Sequence, residues 1–376
     1  MAERLPSVSV VVVTRDRPTL LADALRGIAG QRLPPLEVRI ADDGEHPLPH
    51  DLAGAGTLET VVIPVRAGLA AAARNRGSAG ARGDVLAFHD DDDRWLPDHL
   101  LGLAEAFRDP TLAFAWRDCA IIREEVSPGG VRHERDRRVI AHGWDPDLMR
   151  HDDYLPPSAW GVRRSLFERL GGFDETFRFS EDWDFALRAA AQTTPRRVAG
   201  VTVEVRVREA GNLSSDAGPE RLACLKRLEA RHGLPSLEPK TFWEVARVVE
   251  AAAARRPPVS ADLVIVGAGP AGVSAALWAR TMELSVVVLE AGGTAGGQLL
   301  HIHHPIVNLA GAPGDDGPAL ACALAADLER AGVEVRYGVA AAELDPASMS
   351  VRAAGGERFP GSAVLVATGV RRRRLE

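Results

Sequence analysis

The chain has 376 residues, of which 46% are hydrophobic and 26% charged, and its formal net charge of −7 argues against nonspecific binding to nucleic acid. Its three cysteines are too widely spaced for a CxxC pair or a zinc knuckle, and their odd, sparse number is typical of the reducing cytoplasm. No segment reaches ~18 uninterrupted apolar residues, so no transmembrane segment is expected.

The first hundred residues alternate between strand and helix patterns. The run "VSVVVVT" at residues 8–14 is typical of a strand buried on both faces, and further strands are predicted in "LEVRIADDG", "LETVVIPV" and "DVLAFHD". Helices are predicted in "RPTLLADALRGIAGQ" and "GLAAAARNRGSAGA". This alternation predicts an α/β domain with a parallel sheet, which less regular elements continue from residue 101 to 232.

Polar and acidic residues follow these predicted strands. Thr14, Asp42, Asp43 and the run Asp90–Asp93 all fall at strand ends, where ligands bind in open α/β sheets. Carboxylates at such a place can hold Mg²⁺ or Mn²⁺ together with the phosphates of a nucleotide. By itself, an acidic turn that caps the next helix explains the Asp90–Asp93 run equally well.

Four motifs that occur in a fixed order favour the first interpretation. They are "VSVVVVTRDRP", "ADDG", "AAARNRGSAGARGDVLAFHDDDDRWLPDHL" and "LGGFDETFRFSEDWDFALRAA". Together they resemble the family 2 glycosyltransferases, which have the GT-A fold, and the resemblance covers roughly residues 6 to 215. It implies a metal-dependent and usually inverting transfer from a nucleoside-diphosphate sugar, with a UDP-sugar the expected donor, to an acceptor hydroxyl.

The resemblance also implies roles for individual residues. The implied donor-binding residues are Thr14, Arg15, Asp42, Asp43, Arg74, Asp90 and Asp91. Asp43 is the expected partner of the base. The family's DxD pattern makes Asp92 the best candidate metal ligand, with Asp90 beside it. Asp93 is then expected to start the following helix as its cap or first-turn acid.

A second pair of carboxylates lies in "FSEDWDF". The family's Glu-Asp pair aligns on Glu181 and Asp182, and Asp182 is the expected general base that takes the proton from the acceptor hydroxyl. The alternative is that both residues only cap the helix that follows. Two neighbours of the acidic motifs are less typical: Glu45 adds negative charge where phosphates are expected, and the isolated His89 is expected to be structural.

The character of the chain changes near residue 235. A helix is predicted from about Thr241 to Arg256, and Pro257 and Pro258 follow it as a linker. We therefore expect a glycosyltransferase-like domain at 1–235, a helix and Pro-rich linker at 236–260, and another α/β domain at 261–376. Acceptor selection is expected to lie in variable loops within residues 120 to 160.

The last domain begins with a dinucleotide-binding pattern, "DLVIVGAGPAG", followed by "VVVLE". Gly267 permits the tight turn, Gly269 allows the backbone to approach a pyrophosphate, and Gly272 allows close packing of helix on strand. Glu290 ends the second strand at the distance expected for a ribose-binding acid. The glycine motif lies between a predicted strand and a predicted helix, and Glu290 follows at the right distance. This combination makes the pattern specific for dinucleotide binding.

Further motifs, "GGTAGGQLL", "IVNLAGAPGDDGPAL" and "AVLVATG", resemble the FAD domain of thioredoxin reductase-like flavoproteins. The resemblance covers residues 261 to 375 and implies a partial Rossmann-like domain that can bind FAD. The residues implied to lie near the FAD are Gly296, Gly297, Gln298, Asn308, Ala367, Thr368 and Gly369. The histidines His301–His304 are expected to form a loop without a metal.

The chain lacks a second GxGxxG, a CxxC and the segment that returns to the FAD site in that family. Dithiol reductase activity is therefore not expected, FAD is expected to bind weakly or not at all, and a chain shortened to about residue 235 is expected to behave better. The sequence predicts a glycosyltransferase with an appended incomplete flavoprotein domain. The alternatives are the front portion of an FAD-dependent pyridine nucleotide-disulphide-type oxidoreductase and a nucleotide-binding scaffold without turnover.

Overall fold

The computed structural model describes residues 4–49, 55–126, 132–208, 218–254, 261–302, 304–306 and 316–369. The chain divides into two compact units. The first comprises the residues up to Glu250 apart from Ala199–Val201, and the second comprises the remainder. No helix of the described ranges is long and apolar enough to cross a membrane.

A mixed sheet forms the centre of the first unit. In its described part, the strands are β1 Val8–Thr14, β2 Glu37–Asp42, β3 Thr60–Pro64, β4 Val85–Asp90, β5 Arg94–Trp95, β6 Phe114–Val126, β7 Arg132–Ile140, β8 Trp160–Arg163 and β9 Arg196–Val207. Their order in the sheet is β3-β2-β1-β4-β8-β6-β9-β5, and β7 pairs with β6. The predicted parallel α/β sheet is thus present as β3-β2-β1-β4, and antiparallel strands extend it.

The register of the parallel strands brings the predicted polar residues together. Thr14 pairs with Asp42 and Val13 pairs with Asp90, so β1, β2 and β4 end at the same edge of the sheet. β1 is apolar and buried along most of its length because it is central in the sheet and covered on both faces. Burial holds the strand in place, and the carboxyl edge receives the polar side chains that follow it.

Helices cover the sheet and supply further residues to this edge. They are α1 Pro18–Ala29, α2 Ala70–Ser78, α3 His99–Ala106, α4 Pro146–Met149, α5 Arg164–Leu170, α6 Glu181–Ala190, α7 Pro219–His232 and α8 Phe242–Ala254. The "GGFDE" turn before α6 begins with Gly171 and Gly172, both at a φ of 74°. Asn75 of α2 holds this turn through hydrogen bonds with the amide and carbonyl of Phe173.

The expectation that Asp93 starts a helix is wrong. β5 follows it at once, and α3 begins only at His99, with Asp98 as the preceding residue. Asp93 is buried and accepts a hydrogen bond from the backbone amide of Arg206 on β9. Its carboxylate therefore joins β9 to the acidic run, which a pattern read along the chain does not reveal.

Helix α8, predicted as the start of a linker, packs instead as part of the first unit. Trp243 is 7% exposed, and the guanidinium groups of Arg123 and Arg138 lie 4.6 and 4.8 Å from the centroid of its ring. Arg138 also forms an ion pair with Glu250. A chain that ended near residue 235 would lose this helix and expose the surface that Trp243 covers, so the expected improvement in behaviour has a physical argument against it.

The second unit contains its own sheet. In the described ranges its strands are β10 Ala261–Val266, β11 Val286–Glu290, β12 Glu334–Tyr337, β13 Ala341–Asp345, β14 Ser350–Ala353 and β15 Arg358–Val366, in the order β12-β11-β10-β15-β14-β13. Its helices are α9 Pro270–Thr281 and α10 Gly317–Arg330. β12, β11, β10 and β15 are parallel, as a dinucleotide-binding fold requires.

Candidate active site

A cavity of about 480 Å³ lies in the first unit at the carboxyl edge of β1, β2 and β4. Among the predicted site residues, those that line it are Thr14, Arg15, Asp43, Arg74, Asp90, Asp91, Asp92, Glu181 and Asp182. The structure thus brings both predicted carboxylate groups, which are about ninety residues apart in sequence, to one cavity. Asp42 is absent from this lining: it is buried, and its Oδ1 accepts a hydrogen bond from the amide of Gly44.

Asp43 shapes the entrance to the site. Its Oδ1 accepts hydrogen bonds from the amides of Ala67 and Gly68, at 2.5 and 2.9 Å. These contacts connect the end of β2 to the loop before α2. The carboxylate is therefore held in a fixed orientation at the cavity wall. Recognition of a nucleotide base requires such a fixed orientation.

Arg74 of α2 joins the two carboxylate groups. Its side chain is 5% exposed, and it donates hydrogen bonds to Glu181 at 2.6 Å and to Asp90 at 2.9 and 3.1 Å. Burial opposes the charged form, but the carboxylates of Asp90 and Glu181 outweigh it and raise the pKa of Arg74. Arg74, predicted to contact the donor, lines the cavity while its guanidinium is engaged by these two acids.

The acidic run is held by Thr14, which the motifs placed at the donor, and by Arg17, to which the motifs gave no role. The Thr14 hydroxyl donates a 2.7 Å hydrogen bond to Asp91, and Arg17 contacts Asp91 at 3.2 Å and Asp92 at 2.9 Å. Burial raises the pKa of Asp91 to about 6, although Arg17 acts against this shift. The signal for Arg17 was its place in "TRDRP", three residues after Thr14.

The exposure of the acidic run alternates. The side chains of Asp90 and Asp92 are 31% and 21% exposed, whereas Asp91 is 5% exposed and Asp93 is buried. Both of the more exposed carboxylates line the cavity and supply the hard oxygen donors that Mg²⁺ and Mn²⁺ prefer. No group of three or more such ligands occurs in the described ranges. A cation at Asp90 and Asp92 would need phosphate oxygens as further ligands and would share these two carboxylates with Arg74 and Arg17.

Glu181 and Asp182 lie in the first turn of α6. The preceding Ser180 has a φ of 62° and makes no side-chain cap, so the turn rather than a cap determines where the helix begins. Burial and repulsion from Asp182 raise the pKa of Glu181 to about 7. Burial also raises the pKa of Asp182, whose Oδ1 accepts the amide of Trp183. Glu181 contacts Arg74, whereas the Oδ1 of Asp182 contacts the backbone of its own helix.

His89 has a structural environment, as the sequence indicated. It is fully buried, its ring lies 4.5 Å from that of Trp95, and its Nδ1 donates to the carbonyl of Asp90. Burial lowers the pKa of His89 to about 4, so the neutral ring is the stable form. The indole of Trp95 in turn donates to the carbonyl of Ser158, which fixes the turn after the acidic run.

The second unit positions its glycines as the dinucleotide pattern predicts. Gly267 has a φ of 104°, and a Cβ there would lie 2.5 Å from the carbonyl oxygen of Ala367. A Cβ on Gly272 would lie 1.9 Å from the carbonyl oxygen of Gly267. Helix α9 therefore lies so close to the turn that only glycine fits at position 272. A Cβ on Gly269, at the start of α9, would meet nothing within 4 Å. Open space therefore lies in front of the helix, where a pyrophosphate would bind.

The other residues predicted near FAD gather around this turn. A Cβ on Gly297 would lie 3.3 Å from the Cα of Gly269, and one on Gly267 would lie 3.3 Å from the Cα of Thr368. Glu290 accepts hydrogen bonds from the amides of Ala268 and Gly292, both at 2.7 Å. Each of its oxygens keeps further acceptor capacity for a ribose hydroxyl.

Three of the remaining predictions have simple outcomes. Gln298 lies in a short 3-10 helix at Gly297–His301, and Gly369 follows β15 with a φ of 69°. Asn308 lies outside the described residues.

Comparison with known proteins assigns each unit to a family. The profile of "Glycosyl transferase family 2" matches residues 9–171. The chain is 34% identical over 237 residues to the uncharacterized glycosyltransferase YwdF of Bacillus subtilis (strain 168), a match that covers 62% of this chain and 87% of YwdF.

The profile of "Pyridine nucleotide-disulphide oxidoreductase" matches residues 261–376. The chain is 31% identical over 114 residues to the thioredoxin reductase of Listeria innocua serovar 6a, which covers 30% of this chain and 35% of that protein. The crystal structure of Lactococcus lactis thioredoxin reductase is 34% identical, with a TM-score of 0.28 and coverage of 31% of this chain and 38% of that one. This chain therefore spans about a third of the reductases that it matches.

The family profile over residues 9–171 and the match to YwdF lead to the same assignment: the chain belongs to glycosyltransferase family 2 and carries, after its transferase domain, a domain that matches the pyridine nucleotide-disulphide oxidoreductase profile.

Proposed function

We propose that the chain transfers a sugar from a nucleoside-diphosphate sugar, with UDP the expected nucleotide, to an acceptor hydroxyl with inversion at the anomeric carbon. The observation that supports this most directly is the pair of contacts of Arg74 with Asp90 and Glu181. They connect the end of β4 to the start of α6 across one cavity. A donor diphosphate held at Asp90 and a proton acceptor on α6 would therefore face the same cavity and act in one reaction.

The donor is proposed to occupy the part of the cavity lined by Thr14, Arg15 and Asp43. Asp43 would contact the base, since its carboxylate is already fixed by two backbone amides. Asp90 and Asp92 would hold Mg²⁺ or Mn²⁺, which when bound neutralises charge on the diphosphate. Arg17 contacts the same acidic run and would have to share it with that ion.

Asp182 is proposed as the general base. It takes the proton of the acceptor hydroxyl while the acceptor oxygen forms a bond to the anomeric carbon and the bond from that carbon to the diphosphate oxygen breaks. Glu181 cannot serve equally well, because it forms the 2.6 Å contact with Arg74. Glu181 is 6% exposed, whereas Asp182 is only partly buried and lines the cavity, where an acceptor hydroxyl can reach it.

The test is a thermal-stability screen of UDP-, dTDP-, GDP- and CMP-sugars with the full chain, with and without Mn²⁺. A donor at a hundred times its Kd should stabilise the fold by about 2.7 kcal/mol. We expect stabilisation by a UDP-sugar only when Mn²⁺ is present. Stabilisation by none of them in the presence of Mn²⁺ would refute donor binding, and stabilisation that does not need the ion would refute the metal site.

The second unit is proposed to bind the ADP half of FAD. Gly267, Gly269 and Gly272 leave room for a pyrophosphate at the start of α9, and Glu290 lies at the end of the next strand. The flavin half needs further walls, and Gly297 and Thr368 lie beside the glycine turn where they would begin. A role as the front portion of an oxidoreductase would require tight flavin binding, so flavin absorbance separates it from the transferase proposal.

A further inference from the structure

The cavity of the first unit extends beyond the predicted donor and base residues. Its lining includes Asp153 from the loop after α4, together with Lys240, Phe242 and Val245 from the start of α8. We call these four residues the outer lining. Lys240, Phe242 and Val245 lie beyond residues 9–171, the range that the transferase family profile matches, and beyond the loops at 120–160 in which acceptor selection was expected.

The start of α8 is held in one orientation. Thr241 and Glu244 form reciprocal hydrogen bonds: the Thr241 amide donates to the Glu244 carboxylate at 2.7 Å, and the Glu244 amide donates to the Thr241 hydroxyl at 3.3 Å. Trp243 is 7% exposed and has the guanidinium groups of Arg123 and Arg138 at 4.6 and 4.8 Å from its ring centroid, which anchors this end of the helix. Phe242 and Val245, three residues apart, therefore present a fixed apolar surface to the cavity.

A chain of polar contacts positions the loop that carries Asp153. Arg221 of α7 donates a 2.7 Å hydrogen bond to the carbonyl of Lys240. The Lys240 ammonium contacts the carboxylate of Asp152 at 2.5 Å, and Asp152 is 4% exposed. The neighbouring Asp153 accepts the amide of Leu155 at 3.1 Å. Lys240 thus connects α8 to the residue next to Asp153.

Asp153 is close enough to Asp182 for the two carboxylates to repel each other, and burial together with this repulsion raises the pKa of Asp153. Both residues line the same cavity. Carboxylates bind hydroxyl groups by accepting their hydrogens, and the Lys240 ammonium in the same lining is already paired with Asp152. The outer lining therefore combines a hydroxyl acceptor beside the proposed base with an aromatic and an aliphatic surface.

The geometry points to an acceptor subsite for a neutral sugar ring, an inference that rests on the proposed function. Asp153 accepts a hydrogen bond from a hydroxyl next to the one that attacks, and Phe242 and Val245 contact the C–H face of the ring. A pyranose has hydroxyl groups at its edge and apolar C–H groups on its face, which is the combination that this lining offers. Lys240 is a positioning residue, because it holds Asp152 and through it the loop of Asp153.

The test measures binding of p-nitrophenyl hexopyranosides (gluco, galacto, manno and N-acetylglucosamine forms) by saturation-transfer NMR to the full chain with UDP and Mn²⁺. We expect one or more to bind the natural protein, and Asp153→Asn and Phe242→Ala to weaken that binding about tenfold or more. Lys240→Met should weaken it and Lys240→Arg should restore it. Lys226→Ala on α7, an exposed residue paired with Glu229, is the matched control and should change nothing.

Calorimetry with UDP and Mn²⁺ distinguishes this inference from the proposed function. If the natural protein does not bind UDP, the donor assignment fails, whatever the pyranosides do. The subsite is refuted if no pyranoside binds, or if Asp153→Asn and Phe242→Ala bind them normally. It is also refuted if these variants, with unchanged thermal stability, lose UDP to the same extent as the pyranoside, because the outer lining would then serve the donor.

Discussion

Arg74 donates a 2.6 Å hydrogen bond to Glu181, a residue that follows it by 107 positions. The same guanidinium contacts Asp90, so two acids share a single buried cation. The contact matters for both stability and function, since it sets the distance between the carboxylates of β4 and the start of α6.

Replacement of Arg74 by Met should lower the free energy of unfolding by about 3–5 kcal/mol, because it leaves the buried carboxylate of Glu181 without its partner. Urea denaturation measures the loss. The matched control is Arg135→Met, whose side chain is 63% exposed and pairs with the similarly exposed Glu125, so it should cost less than about 1 kcal/mol. In the double variant with Glu181→Gln the two losses should be less than additive. Equal losses for Arg74→Met and the control would contradict this assignment.

Asp92→Ala should weaken the Mn²⁺-dependent binding of UDP by about tenfold or more, with little change in thermal stability, because the carboxylate lies on the cavity wall rather than in the core. Calorimetry with and without Mn²⁺ measures this effect. Asp23→Asn, a change of an exposed acid on α1, is the control. Metal-dependent affinity that stays the same in Asp92→Ala would remove Asp92 from the metal site.

Asp182→Asn should bind UDP normally and lose sugar transfer by about 10²–10⁴-fold, the usual contribution of a general base. The amide keeps the shape of the side chain and its hydrogen bond with the amide of Trp183 but cannot take a proton. Transfer is measured as UDP release with the donor that the stability screen identifies. Near-normal turnover would mean that Asp182 only shapes the start of α6.

The transfer rate should fall as the pH is lowered through about 7. Burial raises the pKa of Glu181 to about 7, and that of Asp182 is raised as well, so the pair takes up a proton and ceases to act as a base. Glu181→Gln should move this decline to lower pH. A rate that is the same above and below pH 7 would show that another group accepts the proton.

The raised pKa of Glu181 has the opposite effect on stability, which should fall as the pH rises. The folded protein holds this proton more tightly than the unfolded chain, in which the pKa of Glu181 is 4.5. Burial of the pair therefore destabilises the fold increasingly as the pH rises from about 4.5 to about 7. Comparison of Glu181→Gln with the natural protein by denaturation across this range isolates the effect.

The second unit should retain FAD weakly or not at all after gel filtration, while it binds ADP. Gly269→Val should reduce ADP binding, because its side chain would enter the open space in front of α9. Gly355→Val, at a position that is equally open but lies in the turn between β14 and β15, is the control. Flavin absorbance and ADP calorimetry are the measurements, and stoichiometric FAD on the full chain would contradict the prediction.

Much of the fold could be predicted because the signals are local. The run Val8–Thr14 specifies a buried strand through its own side chains, and Gly267 and Gly272 specify a turn that no larger residue fits. The acidic run Asp90–Asp93 can be recognised as the end of a strand without knowledge of where that strand lies in the sheet. Hydrophobic periodicity and glycine placement act over a few residues, so they can be interpreted without the rest of the chain.

The sequence by itself determined the strands β1 to β4 and the polar residues that end three of them, and it placed both carboxylate groups in a predicted site. Only the tertiary structure decided how charges pair: that Arg74 joins Asp90 to Glu181 and that Arg17 contacts Asp92. It also decided that α8 completes the cavity rather than forming a linker. The physical reason is that an ion pair or a packed helix depends on how segments far apart in the sequence meet in space. A local sequence pattern carries no information about that meeting.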